Sequence, residues 1–198
     1  ITLLPPHLIK SDMGFRIEGK DIRFGLLSIK GISDKSIEKL DNFKSEYSTK
    51  FEVFQAAHES GLGIGILSAL IQAGAFEGFK QSRTKVVYEA QVWNILTDRE
   101  KKIALEIADK HENDLVKIIK IISGLKNEKG KDVVRESRIQ TIKRKSQPYK
   151  QIYNQNKISE SFANWYYEND LLGYTYGKTL RDIFLSKKPQ LIPINDVD

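Results

Sequence analysis

The chain has 198 residues, 40% of them hydrophobic and 29% charged, with no cysteine and a formal net charge of +6. That length and apolar fraction suffice for one or two buried cores and argue against a disordered chain, while the missing cysteines exclude disulfides and thiolate metal sites. The positive balance favours a polyanionic partner, nucleic acid first and an acidic membrane second. No window approaches the ~20 apolar residues of a membrane span and no signal segment opens the chain, so a cytoplasmic location is expected. The chain begins at Ile1, which suggests an excised or processed piece.

Pro5-Pro6 removes backbone donors and favours extended geometry before it, predicting an extended lead-in over residues 1–13. Gly14-Phe15-Arg16-Ile17 and Ile22-Arg23-Phe24 alternate around Glu18-Gly19-Lys20-Asp21, the pattern of a short hairpin. From Leu26 the apolar period becomes helical through Leu27, Ile29 and Ile32, then Ile37, Leu40 and Phe43, predicting two short helices that meet at Gly31. Thr49 and Glu52 have capping-box spacing and open a helix that ends near Gly61; a second helix follows through Leu67, Leu70 and Ile71. A longer helix is expected from about Ser82 to Leu96, and a second capping box, Thr97 to Glu100, leads into Ile103, Ile107, Leu115, Ile118 and Ile122.

Residues 124–157 are dominated by Gly, Lys, Arg, Asn and Gln, which predicts an irregular, mobile stretch or one ordered by a partner. Apolar density returns at Phe162, Trp165, Tyr166, Leu171 and Leu172 on a helix begun by Ser159, and the tail from Pro189 to Asp198 reads as extended. The expected organisation is a β-hairpin plus tandem helical hairpins over 1–96, a helical extension over 97–123, the basic irregular segment over 124–157, and a C-terminal helical region over 158–198 leading to a further domain.

Leu27 to Leu40 has the form of a helix-hairpin-helix, with a Gly-hydrophobic-small turn at Gly31-Ile32-Ser33. Free amides at the start of the second helix, together with its dipole, would accept a phosphate oxygen without reading bases. Gly31 suits a positive φ, and Lys30 and Lys35 flank the turn with charge. An ordinary helical corner has the same pattern. Lys143-Arg144-Lys145 could track phosphates or be simply solvated. Gly61-Leu62-Gly63-Ile64-Gly65 fits no phosphate-loop template and reads as a flexible interhelical turn. His7, His58 and His111 lack paired ligand spacing, so no metal site is expected. Gln91 to Leu96 has a faint clamp-binding pattern, but its helical context places Trp93 and Leu96 in the core. Trp165, Tyr166 and Tyr167 could stack on a base, though helix packing suits them better.

Leu4-Pro5-Pro6 with Ser11, Ile22-Arg23-Phe24-Gly25-Leu26, Ile29-Lys30-Gly31-Ile32, and Ala69-Leu70-Ile71-Gln72-Ala73-Gly74-Ala75-Phe76 with Arg83 occur in an order that resembles the C-family replicative polymerases, the alpha subunits of bacterial DNA polymerase III, just beyond their fingers. Leu172-Gly173-Tyr174 is similar to a later helical step of that family. Two departures stand out: Lys178-Thr179 replaces a His-Pro pair, and Ser33 stands where a second glycine is common, so phosphate binding there would be weakened rather than lost. The resemblance implies a mainly α fold, with tandem helix-hairpin-helix elements, a helical bundle and a short N-terminal β-hairpin. It also implies sequence-independent grip on double-stranded primer-template DNA through Lys30, Gly31, Ile32, Ser33 and Lys35, with Lys143, Arg144 and Lys145 in support, and a region that docks on the sliding clamp. Catalytic residues are expected to lie elsewhere in the parent polymerase, whose magnesium would be held there and not by this chain. Two rivals are a clamp or replisome interaction module with incidental DNA affinity, and a base-excision enzyme using the same hairpin, for which no downstream Asp sits in a recognisable motif.

Overall fold

The computed structural model describes residues 1–187, so the extended tail expected from Pro189 to Asp198 lies outside the described residues. The fold is mainly α, with a small sheet at the N-terminal end. The lead-in is extended, as the two prolines require, and it also pairs: Leu3–Leu4 (β1) runs parallel to Asp21–Arg23 (β3), which is antiparallel to Arg16–Glu18 (β2). The expected hairpin thus gains a third strand. Ser11 explains how the lead-in is held: fully buried, its hydroxyl donates to the Phe24 carbonyl at 2.8 Å and accepts from the His7 amide at 3.0 Å. Arg23 donates to the Pro5 carbonyl at 2.9 Å while pairing bidentately with Glu18, which ties β3 to the same segment.

The helix expected from Leu26 to Ile32 is a single 3-10 turn, Leu26–Ser28, after which Ile29 is extended. Its first amides, on Leu26 and Leu27, donate to the Asp12 and Met13 carbonyls, each at 3.0 Å, and the Lys30 amide, which would donate to Leu26 in a continued α-helix, goes to the Leu171 carbonyl at 2.9 Å. The apolar spacing of three still buries Leu26 and Ile29. A second 3-10 turn, Asp34–Ser36, leads into Ile37–Phe43 (α1).

Lys50–Glu59 (α2) begins at Thr49, whose side chain accepts from the Glu52 amide at 3.2 Å; the Glu52 carboxylate reaches the Ser48 amide, one residue before the expected capping-box partner. Ile64–Gln72 (α3) and Arg83–Trp93 (α4) follow, and Trp93 packs against Phe51 and Phe54. Asp98–Ala108 (α5) carries the full Thr97–Glu100 capping box. Glu112 and Asn113 then adopt φ of 56° and 54°, breaking the chain before Leu115–Ile122 (α6), which Asp114 caps.

The irregular stretch expected over 124–157 is largely a helix. A turn closed by the Lys126–Asp132 bridge is followed by Glu136–Asn156 (α7), 21 residues long. Ile139, Ile142, Ser146, Tyr149 and Tyr153 recur at alternating steps of three and four, so one face packs while the charged residues occupy the other. Tyr153 stacks on Tyr88 of α4 with ring centroids 4.9 Å apart, and Arg138 grips Glu100 at 2.7 and 2.8 Å. Pro148 removes one amide within the helix from an exposed position, a cost that the packed face offsets.

Glu160–Leu172 (α8) and Leu180–Lys187 (α9) complete the described elements. The segment of Gly74 with Arg83 and the stretch of α8 just before Leu172-Gly173-Tyr174, separate in the sequence, meet here. Glu168 is 1% exposed. One of its oxygens accepts from Arg83 Nη1 at 2.8 Å, the other from the Tyr176 and Gly177 amides at 3.1 and 3.0 Å. Tyr176 in turn donates its hydroxyl to the Ala73 carbonyl at 2.7 Å, and burial pushes that phenol up to about 12. Gly74 has a φ of +80°, and a Cβ there would run into the Tyr176 hydroxyl and the Arg83 guanidinium. Gly173 ends α8 in the left-handed conformation, and Tyr174 donates to the Leu4 carbonyl at 3.2 Å. One apolar core consequently runs from Leu8 to Leu172.

Two measurements check this architecture. Hydrogen exchange should find the amides of the packed part of α7, from Ile142 to Tyr153, protected in the absence of any nucleic acid; exchange at the rate of open chain would contradict a docked helix. Glu168→Ala leaves a guanidinium and two amides without their acceptor and should lower urea-derived stability by about 3 kcal/mol.

Candidate nucleic-acid interface

Two turns share one plan. In the first, Gly31 has a φ of +89°, Ile32 is 7% exposed and donates to the Ile29 carbonyl at 3.1 Å, and Ser33 is extended before the 3-10 turn that opens α1. In the second, Gly61 has a φ of +68°, Leu62 is 6% exposed and donates to the Ala57 carbonyl at 2.8 Å, and Gly63 is the extended cap of α3. Each is therefore a left-handed glycine, a hydrophobic plug in the core, and an extended small residue before a helix. The second was expected to be a flexible interhelical turn; its ordering comes from Leu62, which anchors the loop between α2 and α3. The sequence signal was present, since Gly61-Leu62-Gly63 repeats the Gly-hydrophobic-small order of Gly31-Ile32-Ser33.

Backbone donors line both turns. The amides of Gly31, Ser33, Asp34 and Lys35 find no acceptor among the described residues, and neither do those of Ile64, Gly65 and Ile66 at the start of α3. Space beside them is open: a Cβ at Gly31, Gly63 or Gly65 would meet nothing within 4 Å. Helix starts of this kind, uncapped by side chains and uncovered, present N–H groups to an anion. Lys39 of α1 reaches toward the second turn, with its Cε 3.9 Å from where a Gly61 Cβ would stand.

The charged residues around the first turn differ in availability. Lys35 is exposed and makes no ion pair among the described residues. Lys30 is committed: its ammonium lies 2.6 Å from Asp170 of α8, and its amide donates to the Leu171 carbonyl at 2.9 Å. The hydrogen bond and charge of Asp170 hold the Lys30 ammonium above its usual range. Asp34 adds a second carboxylate at the turn. Lys143, Arg144 and Lys145 are all exposed on α7, which packs on α4 and α8, and make no ion pairs among the described residues.

Other candidates lie elsewhere. Of the clamp-like stretch from Gln91 to Leu96, Trp93 and Leu96 are buried in the core, as their helical context implies, while Asn94 is exposed. Trp165 stacks on Phe162 along α8, while Tyr166 is 53% exposed. His7 faces Glu77 and His58 faces Asp98, and among the described residues no cluster of His, Asp and Glu could hold a metal ion. No helix among them is long and apolar enough to cross a membrane.

Residues 1–86 match the helix-hairpin-helix motif family. That span contains both turns. Over 89 residues the chain is 32% identical to the DNA polymerase III subunit alpha of Aquifex aeolicus (strain VF5), a match covering 43% of this chain and 8% of that protein. The chain thus corresponds to a small part of that relative's length. No solved structure matches it.

The two glycines give a direct check on the hairpin geometry. Gly31→Ala and Gly61→Ala each impose a left-handed conformation on a residue with a Cβ and should each cost about 1–2 kcal/mol in urea unfolding, whereas Gly65→Ala, at an open helical position, should be neutral or slightly stabilising.

Proposed function

We propose that this chain binds the sugar-phosphate backbone of duplex DNA without sequence preference, as part of a bacterial-type replicative polymerase, and so helps that enzyme stay on its primer-template. The observation that carries this reading is the pair of Gly-hydrophobic-small turns with open backbone amides, both lying within the span that matches the helix-hairpin-helix family. Similarity to a polymerase III alpha subunit supplies the replicative setting. Gly31, Ile32 and Ser33 shape the first contact, with Ile32 acting as the core plug; Lys35 and the more weakly available Lys30 add charge. Gly61, Leu62 and Gly63 form the second contact. Lys143, Arg144 and Lys145 would add a longer-range electrostatic contribution from α7. The proposed contacts reach phosphates and not base edges, so binding would be insensitive to sequence. In the parent enzyme, polymerisation and its magnesium belong to other parts of the chain, and a sliding clamp would dock elsewhere than on Trp93 and Leu96, which are buried.

Duplex binding measured across a salt series tests this. Affinity should fall steeply with salt and be similar for unrelated sequences. Gly31→Val, once shown to be folded, should weaken binding by about 1–3 kcal/mol through strain and lost charged hydrogen bonds. Lys35→Ala should cost less and reduce the salt slope by about one phosphate. If folded Gly31→Val and a matching Gly61→Val both bind like the parent at every salt concentration, the turns are structural corners and clamp docking becomes the better reading.

A further inference from the structure

We propose that Asp170 is an internal competitor for the phosphate at the first hairpin, holding Lys30 against α8 so that the chain displays less DNA affinity than its residues could provide. This rests on the duplex-binding reading above and adds a restraint to it. The contact has two parts. The Asp170 carboxylate accepts from the Lys30 ammonium at 2.6 Å, and the Leu171 carbonyl accepts from the Lys30 amide at 2.9 Å. A carboxylate on an ammonium is the same charge-assisted contact that a phosphate oxygen would make. It comes from a residue remote in sequence, so the fold of α8, and not the hairpin itself, places it.

The local charge balance supports this assignment. With Lys30 paired to Asp170, and Asp34 beside Lys35, the rim of the first turn is close to neutral although the whole chain carries +6. The pair is exposed, with the Lys30 and Asp170 side chains 67% and 40% accessible, so a phosphate can reach and displace it. Exposed pairs of this kind are weak, which makes the contact exchangeable and sets the expected effect at a few-fold and not orders of magnitude. The Leu171 carbonyl bond does not depend on the Asp170 side chain, so the hairpin should keep its place when that carboxylate is neutralised. Phosphate binding at the turn would then gain a lysine.

Asp170→Asn in the complete 198-residue chain tests the proposal, with Glu106→Gln as the control. Glu106 is exposed on α5, makes no ion pair among the described residues, and its substitution changes net charge by the same amount. Asp170→Asn should bind a blunt DNA duplex about three- to fivefold more tightly at low salt, with a salt slope steeper by about one phosphate, and Glu106→Gln should change affinity by less than twofold. Lys30→Ala should remove the whole gain in the Asp170→Asn background. Equal affinity for the native chain and Asp170→Asn, or a gain that survives in the Lys30→Ala/Asp170→Asn double variant, overturns the competitor role while leaving duplex binding intact. Absence of salt-dependent binding by the native chain and by Asp170→Asn alike overturns the duplex-binding reading and this inference together. Binding by Asp170→Asn alone supports both.

Discussion

A single buried carboxylate organises the contact between α8 and the α3–α4 pair. Glu168 is held in a nearly dry position, where an unpaired charge would be prohibitive, and it is tolerated because a guanidinium and two backbone amides converge on it. Those partners come from the start of α4 and from the loop after α8. The carboxylate therefore fixes how α8 lies on α3 and α4, and the Tyr176 hydroxyl adds a bond to the end of α3. Gly74 is part of the same arrangement because any side chain there would displace the rings and guanidinium that surround the acid.

A second buried acid does comparable work between α2, α4 and α6. Glu89 is fully buried, accepts from Lys50 with one oxygen and from the Leu115 amide at 2.9 Å with the other. Burial pushes this carboxyl up and the Lys50 ammonium down; their mutual attraction opposes both tendencies, while the Lys85 charge opposes the first and adds to the second. The Leu115 amide is an open donor at the start of α6, so the acid also satisfies a helix end. Both acids connect helices that apolar packing alone would leave free to slide.

These internal constraints bear on the surface. The docking of α8 brings Asp170 and Leu171 onto the first hairpin, whereas the second hairpin is framed by α1, α2 and α3. Two turns with the same backbone plan thus sit in different electrostatic surroundings. The proposed division of labour follows from that difference: open amides at both, with a carboxylate from a distant helix moderating one of them.

How legible all this was depends on the range of the interactions involved. Local signals carried the extended lead-in, the β2–β3 hairpin, the Thr97 capping box, the ends of α2 and α4, and the burial of Trp93, because each reflects backbone geometry or apolar period within a few residues. Composition misled at 124–157: a helix with one narrow packed face in a polar background, interrupted by Pro148, looks irregular until its partner face on α4 is known. Leu26 to Ile32 misled in the opposite direction, since a spacing of three also suits a 3-10 turn, and the Lys30 amide that would continue an α-helix donates to the distant Leu171 carbonyl. In the site, the sequence by itself determined the Gly-hydrophobic-small turns, because a left-handed glycine and a core plug are local requirements. Only the tertiary structure decided that Lys30 is already engaged and that Arg83 and Glu168 belong together, because a charge pair between residues 85 or 140 positions apart leaves no periodicity in the sequence to announce it.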